Sequence, residues 1–244
     1  MDNIKRVIKY QIDDIKIVLS IFLGIILALN IISFLLYLKF NNLYFGIKAN
    51  QGVSIAAGNF VSIFILFIVY NYVMYYESFP IAISFSITRK NFYKSIILNN
   101  ISIALIIALF QGISFKIEPY IIRNIGMVPI QNFAMFNTET DSLFYIVLMM
   151  FLIFLVFVSL WNPVAVLNYK FGYKLWIVLV SIFIIGFLIL GFNIFYLLSE
   201  IFSASWLNYK TNLFSIMSLV LSSVICYVIS YFVILKTNVK HRAG

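Results

Sequence analysis

Charge is the scarcest commodity in this sequence. Asp, Glu, Lys and Arg make up 10% of its 244 residues, where a soluble domain carries about a quarter. Polar surface this sparse cannot cover the core of a water-soluble protein, so lipid must be the solvent. The single cysteine, Cys226, excludes an intrachain disulfide and reads as a small apolar residue within an apolar run. The single histidine, His241, lies in a basic tail without partners for metal binding or catalysis. Six long apolar runs contain no Asp, Glu, Lys, Arg or His at all. Ion-coupled transporters need an ionisable group at membrane depth, so that class is disfavoured. Aspartyl, metal and serine–histidine intramembrane proteases fail for the same want of residues. None of the ten glycines is followed by lysine, so there is no phosphate-binding loop. The chain is read as a non-enzyme, and any uphill movement must draw its energy from another polypeptide.

What is present is apolar and helix-length. Hydrophobic residues make up 64% of the chain, and its mean hydropathy is +1.05. The runs are continuous, unlike the short alternating segments of a barrel. They predict an all-α integral membrane protein with six transmembrane helices, at Ile17–Leu38, Val53–Tyr76, Ser95–Phe115, Ser142–Leu167, Leu175–Leu198 and Leu213–Leu235. Residues 1–16 predict an amphipathic interfacial helix, with Ile4, Val7, Ile8, Ile12 and Ile15 on one side and Lys5, Arg6, Lys9, Asp13 and Asp14 on the other. No cleavage pattern for a signal peptide follows it. Residues 17–235 form one six-span domain, and 236–244 a basic cytoplasmic tail.

Lys and Arg set the orientation. Twelve fall on the side of both termini and five on the other, so the termini are expected to be cytoplasmic. Tyr70, Tyr72, Tyr75, Tyr76, Trp161, Tyr169, Tyr173 and Trp176 lie near the inner interface, as belt residues do. The net charge of +9 is confined to short clusters between apolar runs, which is a topology pattern and not a nucleic-acid face. The longest outer loop, Lys116–Asp141, carries Pro119, Pro129 and mixed charges, and reads as a small ordered cap. The last outer connection, Ser199–Asn212, holds Ile201, Phe202, Trp206 and Leu207. It reads equally as a re-entrant segment or an interfacial amphipathic turn.

The stretch Glu77–Lys94 organises the rest. It places Arg89, Lys90 and Lys94 between the second and third spans. Phe79, Ile81, Ile83, Phe85 and Ile87 alternate with small or polar residues, which by period alone predicts a strand. A lone strand would leave its backbone groups unpaired. A short interfacial helix is the better reading, capped by Ser78 with Pro80 in its first turn and with Thr88 or Asn91 opening the next span. A loop that serves only as a topology signal accounts for the charges equally well.

The run Phe79-Pro80-Ile81-Ala82-Ile83-Ser84-Phe85-Ser86-Ile87-Thr88-Arg89-Lys90-Asn91-Phe92 resembles the coupling-helix loop of type-2 ATP-binding cassette (ABC) exporter permeases from low-GC Gram-positive bacteria. Glu77, Phe79, Pro80, Thr88, Arg89 and Lys90 match that pattern, while Ser86 stands where the family often has glycine. Phe171-Gly172-Tyr173-Lys174 is similar to the family's Phe-Gly-x-Lys before the fifth span. The resemblance implies a permease subunit in a bacterial cell membrane, paired with a second permease as homodimer or heterodimer. Its loop would dock on a cytoplasmic ATPase subunit that binds ATP and Mg; no cofactor belongs to this chain. It also implies export of amphipathic peptides or resistance to antimicrobial peptides. On this reading Glu77, Phe79, Pro80, Ile83, Phe85, Thr88, Arg89 and Lys90 form the coupling set. Phe79, Ile83 and Phe85 are expected to supply apolar contact, and Arg89 to pair with a partner's carboxylate or with Glu77.

Polar residues inside the spans are costly in lipid and are expected to face the bundle, as packing contacts or as the lining of a route. They include Asn30, Ser33, Asn59, Ser62, Asn99, Asn100, Gln111, Asn193, Ser222 and Ser223. A neutral lining suits an amphipathic or hydrophobic substrate. A competing reading is a non-transporting immunity or sensor protein that binds an antimicrobial peptide without any ATPase. A membrane enzyme is the third.

Six crossings with both termini inside require reporters fused at Gly244 and at Asn132 to report opposite sides of the membrane. Reporters on the same side would end that topology.

Overall fold

The computed structural model describes residues 2–39, 52–124, 126–133, 135–190 and 213–239. They are mostly helical. α1 spans Asp2–Lys39. A 3-10 turn at Ala56–Gly58 leads into α2, Asn59–Val73, then a π turn at Met74–Ser78 and the short α3, Phe79–Ser84. α4 spans Arg89–Asn124 and is followed by a hairpin of β1, Asn132–Phe133, and β2, Phe136–Asn137. α5 spans Leu143–Phe171, α6 Tyr173–Leu190 and α7 Leu213–Leu235. Five helices among the described residues are long and apolar enough to cross a membrane. The fifth expected span is represented by α6; its remainder, 191–198, and the Ser199–Asn212 segment lie outside the described residues, as do 40–51 and 240–244.

Several boundaries move. α1 joins the expected interfacial helix and the first span in one uninterrupted helix. The third span is much longer than Ser95–Phe115. The apolar period continues past Lys116 through Ile117, Ile121 and Ile122, and the helix follows that period to Asn124.

α5 is the centre of the bundle, packing against α4, α7 and α2; α1 rests on α4, and α6 touches α5. α4 and α5 bury the largest shares of themselves and α1 the smallest. The exterior is apolar, with Ile17, Ile65, Leu109, Ile182 and Leu221 all exposed. That is inverted relative to a protein in water and suits helices whose solvent is hydrocarbon. The α4–α5 contact is tight at Gly112. A Cβ there would meet Val147 Cγ2 at 2.6 Å and Val147 Cα at 3.4 Å. Small residues are how helices without a hydrophobic driving force approach closely.

Of the segment Lys116–Asp141 expected to form an ordered cap, 116–124 continues α4, and a small cap is built on the hairpin that follows. β1 and β2 pair Asn132 with Asn137 and Phe133 with Phe136. Val53 N–H donates to Val128 O at 2.9 Å, and Ile130 N–H to Val53 O at 3.1 Å, which ties the cap to the start of α2. Phe133 stacks on Phe115 at 4.7 Å and on Phe60 at 5.2 Å, so the cap roots in the bundle through aromatic contact. Lys116 Nζ donates to Glu139 O and Asp141 O, and Arg123 pairs with Glu139 at 2.5 Å.

Gly112→Val overfills the α4–α5 seam and should lower stability by about 1–3 kcal/mol, with Gly112→Ala in between. Thermal unfolding in detergent measures it. A valine variant as stable as the parent would show that the seam yields freely.

Candidate functional site

The site expected at Glu77–Lys94 is built at the end of the bundle remote from the cap. Pro80 has no N–H to offer the turn before it, and the helix widens there. Phe79 N–H bonds to Met74 O, five residues back, in place of the usual four. Helix therefore continues from α2 through the π turn into α3. Ser78 does not cap: its backbone is helical, its side chain makes no capping bond, and it is buried. The expected helix start is a bend in a helix already under way.

α3 ends in a Schellman motif. Ile87 N–H donates to Ala82 O at 3.1 Å and Ser86 N–H to Ile83 O at 2.9 Å. Ile87 and Ala82 are both buried, providing the apolar contact that accompanies the motif. Ser86 takes the left-handed position with φ 57°. That conformation is strained for any residue with a Cβ, and it is the position where the resembled family often has glycine. Thr88 then caps α4. Its Oγ1 accepts from Asn91 N–H at 3.3 Å, and its carbonyl from Phe92 N–H at 3.0 Å. Of the two expected openers, Thr88 holds the cap position.

The predicted coupling residues divide into two faces. Phe79 is wholly buried, with its ring 5.1 Å from Phe92 and 5.6 Å from Tyr169. It is a contact between α3, α4 and α5 and has no surface to give a partner, which corrects the expectation for it. Ile83 and Pro80 are half-buried. Phe85 is 73% exposed, Ile81 is exposed beside it, and Glu77, Thr88 and Lys90 are exposed as well. Arg89 pairs with neither Glu77 nor any other carboxylate among the described residues. Its Nη1 donates to Leu235 O at 2.8 Å, at the end of α7, where a cation meets the negative pole of the helix. The second motif is explained by backbone alone. Gly172, with φ 63° and ψ −140°, occupies a region open in practice only to glycine as the chain turns from α5 into α6.

The polar residues expected to face inward largely do so. Asn59 Nδ2 donates to Gln111 Oε1 at 3.2 Å, and Gln111 Nε2 to Ala56 O at 2.5 Å. Asn99 Nδ2 donates to Gln11 Oε1 at 2.5 Å. Asn30 is half-buried and lines a cavity. Asn193 lies outside the described residues. These are helix-to-helix contacts spread along the bundle; they do not converge with the α3 residues.

Two features escape the sequence reading. The first is a buried network between α2 and α5. Tyr75 OH donates to Asn162 Oδ1 at 2.8 Å, Asn162 Nδ2 to Asn71 Oδ1 at 3.0 Å, and Asn71 Nδ2 to Phe67 O at 2.8 Å and Val158 O at 3.2 Å. It lies between the π turn and Pro163. The available signal was Asn162-Pro163 inside an apolar run, with Asn71 and Tyr75 one helical turn apart. The second is Glu118, buried in α4. Its Oε2 accepts from Ser54 Oγ at 2.8 Å, and its Oε1 from Ala56 N–H at 3.1 Å and from Ile55 N–H. It thereby caps the start of α2 from another helix. Among the described residues, no three His, Cys, Asp or Glu side chains gather as a metal site would require.

Comparison of the chain with family models, curated proteins and solved structures yields no match.

Ser86→Gly should stabilise the protein by about 1 kcal/mol, because it relieves the left-handed strain, while Ser86→Val should destabilise it. Thermal unfolding of the two variants beside the parent decides the matter. Equal midpoints would mean that the turn carries no strain.

Proposed function

We propose that the chain is the permease subunit of an ABC exporter, driven through α3 by a separate ATPase subunit and paired with a second permease. The observation that carries this reading is the two-faced α3. Its inner face, Phe79 and Ala82, is locked onto the bundle; Ile81 on its outer face is exposed, and so are Phe85 and Lys90 in the residues after it. An exposed aromatic at the end of a helix rooted in the core is the form of a docking knob. A topology signal needs the charges but not the exposed ring. On this reading the α3 end is cytoplasmic, in keeping with the Lys and Arg distribution. The partner holds ATP and Mg, and α6 belongs to a sixth crossing. Motion of the partner would reach α4 and α5 through the Phe79 ring, and α7 through Arg89. The absence of fixed charge from most of the bundle favours an amphipathic or hydrophobic cargo, with a peptide as the leading class.

Phe85→Asp should abolish co-purification of the ATPase subunit, because it sets a carboxylate into an apolar contact at a cost of several kcal/mol. Since Phe85 is exposed, the variant should still insert at normal levels. Phe79→Ala, by contrast, should lower stability by about 3–5 kcal/mol, a loss of packing and not of docking. An intact complex and unchanged transport with Phe85→Asp would remove the coupling role and leave a topology loop.

A further inference from the structure

A cavity of about 500 Å³ lies between α1 and α4 at the cap end of the bundle, within the range of about 300–1,000 Å³ occupied by small-ligand sites. Leu27 and Ile31 of α1 and Ile113, Ile117 and Ile121 of α4 form its walls, and all five are exposed, so it opens sideways where lipid would stand. Its lining is apolar except for Asn30 on α1 and Ser114, Glu118 and Asn124 on α4; Glu118 alone of these is ionisable, and the Ser114 hydroxyl is spent on the Phe110 carbonyl.

Glu118 is the unusual element. It is a carboxylate buried to 9% exposure, and its bonded partners are a hydroxyl and two backbone N–H groups. These neutral donors, and the positive pole of α2, hold the anion in place. They do not supply a counter-charge, and a buried charge without one is expensive. The two cations near it on α4 are engaged by the cap: Lys116 by the Glu139 and Asp141 carbonyls, and Arg123 by the Glu139 carboxylate. Among the described residues, no cation pairs with the Glu118 carboxylate that lines this apolar slot.

We infer that this cavity binds the apolar chain of a cationic amphipath, with its amine directed to Glu118 and Asn30. The charge arrangement selects against a zwitterionic phospholipid, which would bring a phosphate alongside its amine into a slot that holds an anion. The site is reached from within the membrane, from the half nearest the cap. It deepens the transport reading by naming the class of cargo, but binding itself requires no ATPase.

The test uses the full chain in phosphatidylcholine nanodiscs with a diazirine-bearing dodecylammonium photoprobe. Labelling is expected on the peptides that contain residues 27–31 and 113–121. Dodecylammonium should compete at about one-tenth the concentration needed for dodecanol, which matches its chain without the charge. Glu118→Gln keeps the volume and the capping acceptor but removes the charge, and should erase that tenfold difference. Ile117→Trp fills the slot without touching the carboxylate and should abolish labelling. Equal competition by amine and alcohol in the parent would overturn the proposal, and so would a difference that survives Glu118→Gln. Displacement of the probe when phosphatidylethanolamine replaces phosphatidylcholine would overturn it in favour of a lipid site. A parent that binds the amine in this way but recruits no ATPase would leave the site standing and remove the transport reading.

Discussion

A helix end surrounded by hydrocarbon has no water to satisfy its backbone, so another element must do it. In this protein α4 does much of that work. Near its far end Glu118 accepts from the N–H groups of Ile55 and Ala56 at the 3-10 turn that opens α2, and about two turns earlier Gln111 donates to the Ala56 carbonyl. At its near end Arg89 donates to the last carbonyl of α7. One helix thus closes the start of one neighbour and the finish of another. Its own seam with α5 depends on Gly112 being no larger than it is.

The same constraint explains where irregular backbone is tolerated. Pro80 and Pro163 both subtract a donor from the ladder of a membrane-length helix. Each lies at the margin of the Asn71–Asn162–Tyr75 network, which supplies side-chain donors and acceptors between the two weakened helices. A dry apolar contact there would have left the wide turn unsupported. The polar contact fixes its register, since side-chain amides pair only at defined positions.

Legibility followed period and punctuation. The long apolar runs marked the helices, and the mixed charges and prolines of Lys116–Asp141 marked the cap. The pairing of Asn59 with Gln111 was foreshadowed by the cost of polar groups in lipid. What stayed hidden was tertiary. Nothing local reveals which face of α3 turns inward, because the π turn that precedes it shifts the phase it inherits from α2; with Phe79 turned in, Phe85 six residues on is turned out. Ser78 carried the chemistry of a cap, but a helix already passing through it left no free N–H to cap. Glu118 was hidden by the assumption that a charge ends a span. Its partners, Ser54 to Ala56, are more than sixty residues away in sequence, and only the fold brings them together.

The length of α4 has a mechanical consequence. Its 36 residues make a rod of about 54 Å, well beyond the roughly 30 Å of a hydrocarbon core. One end is clamped beside α3 through Phe92, and the other carries the cap through Phe115, Lys116 and Arg123. Such a rod is a lever arm. A tilt of about 10° about its α3 end would sweep the cap through roughly 9 Å at that length. A change of a few degrees in the angle at which α4 leaves α3 would thus be returned as a movement of several ångströms at the cap.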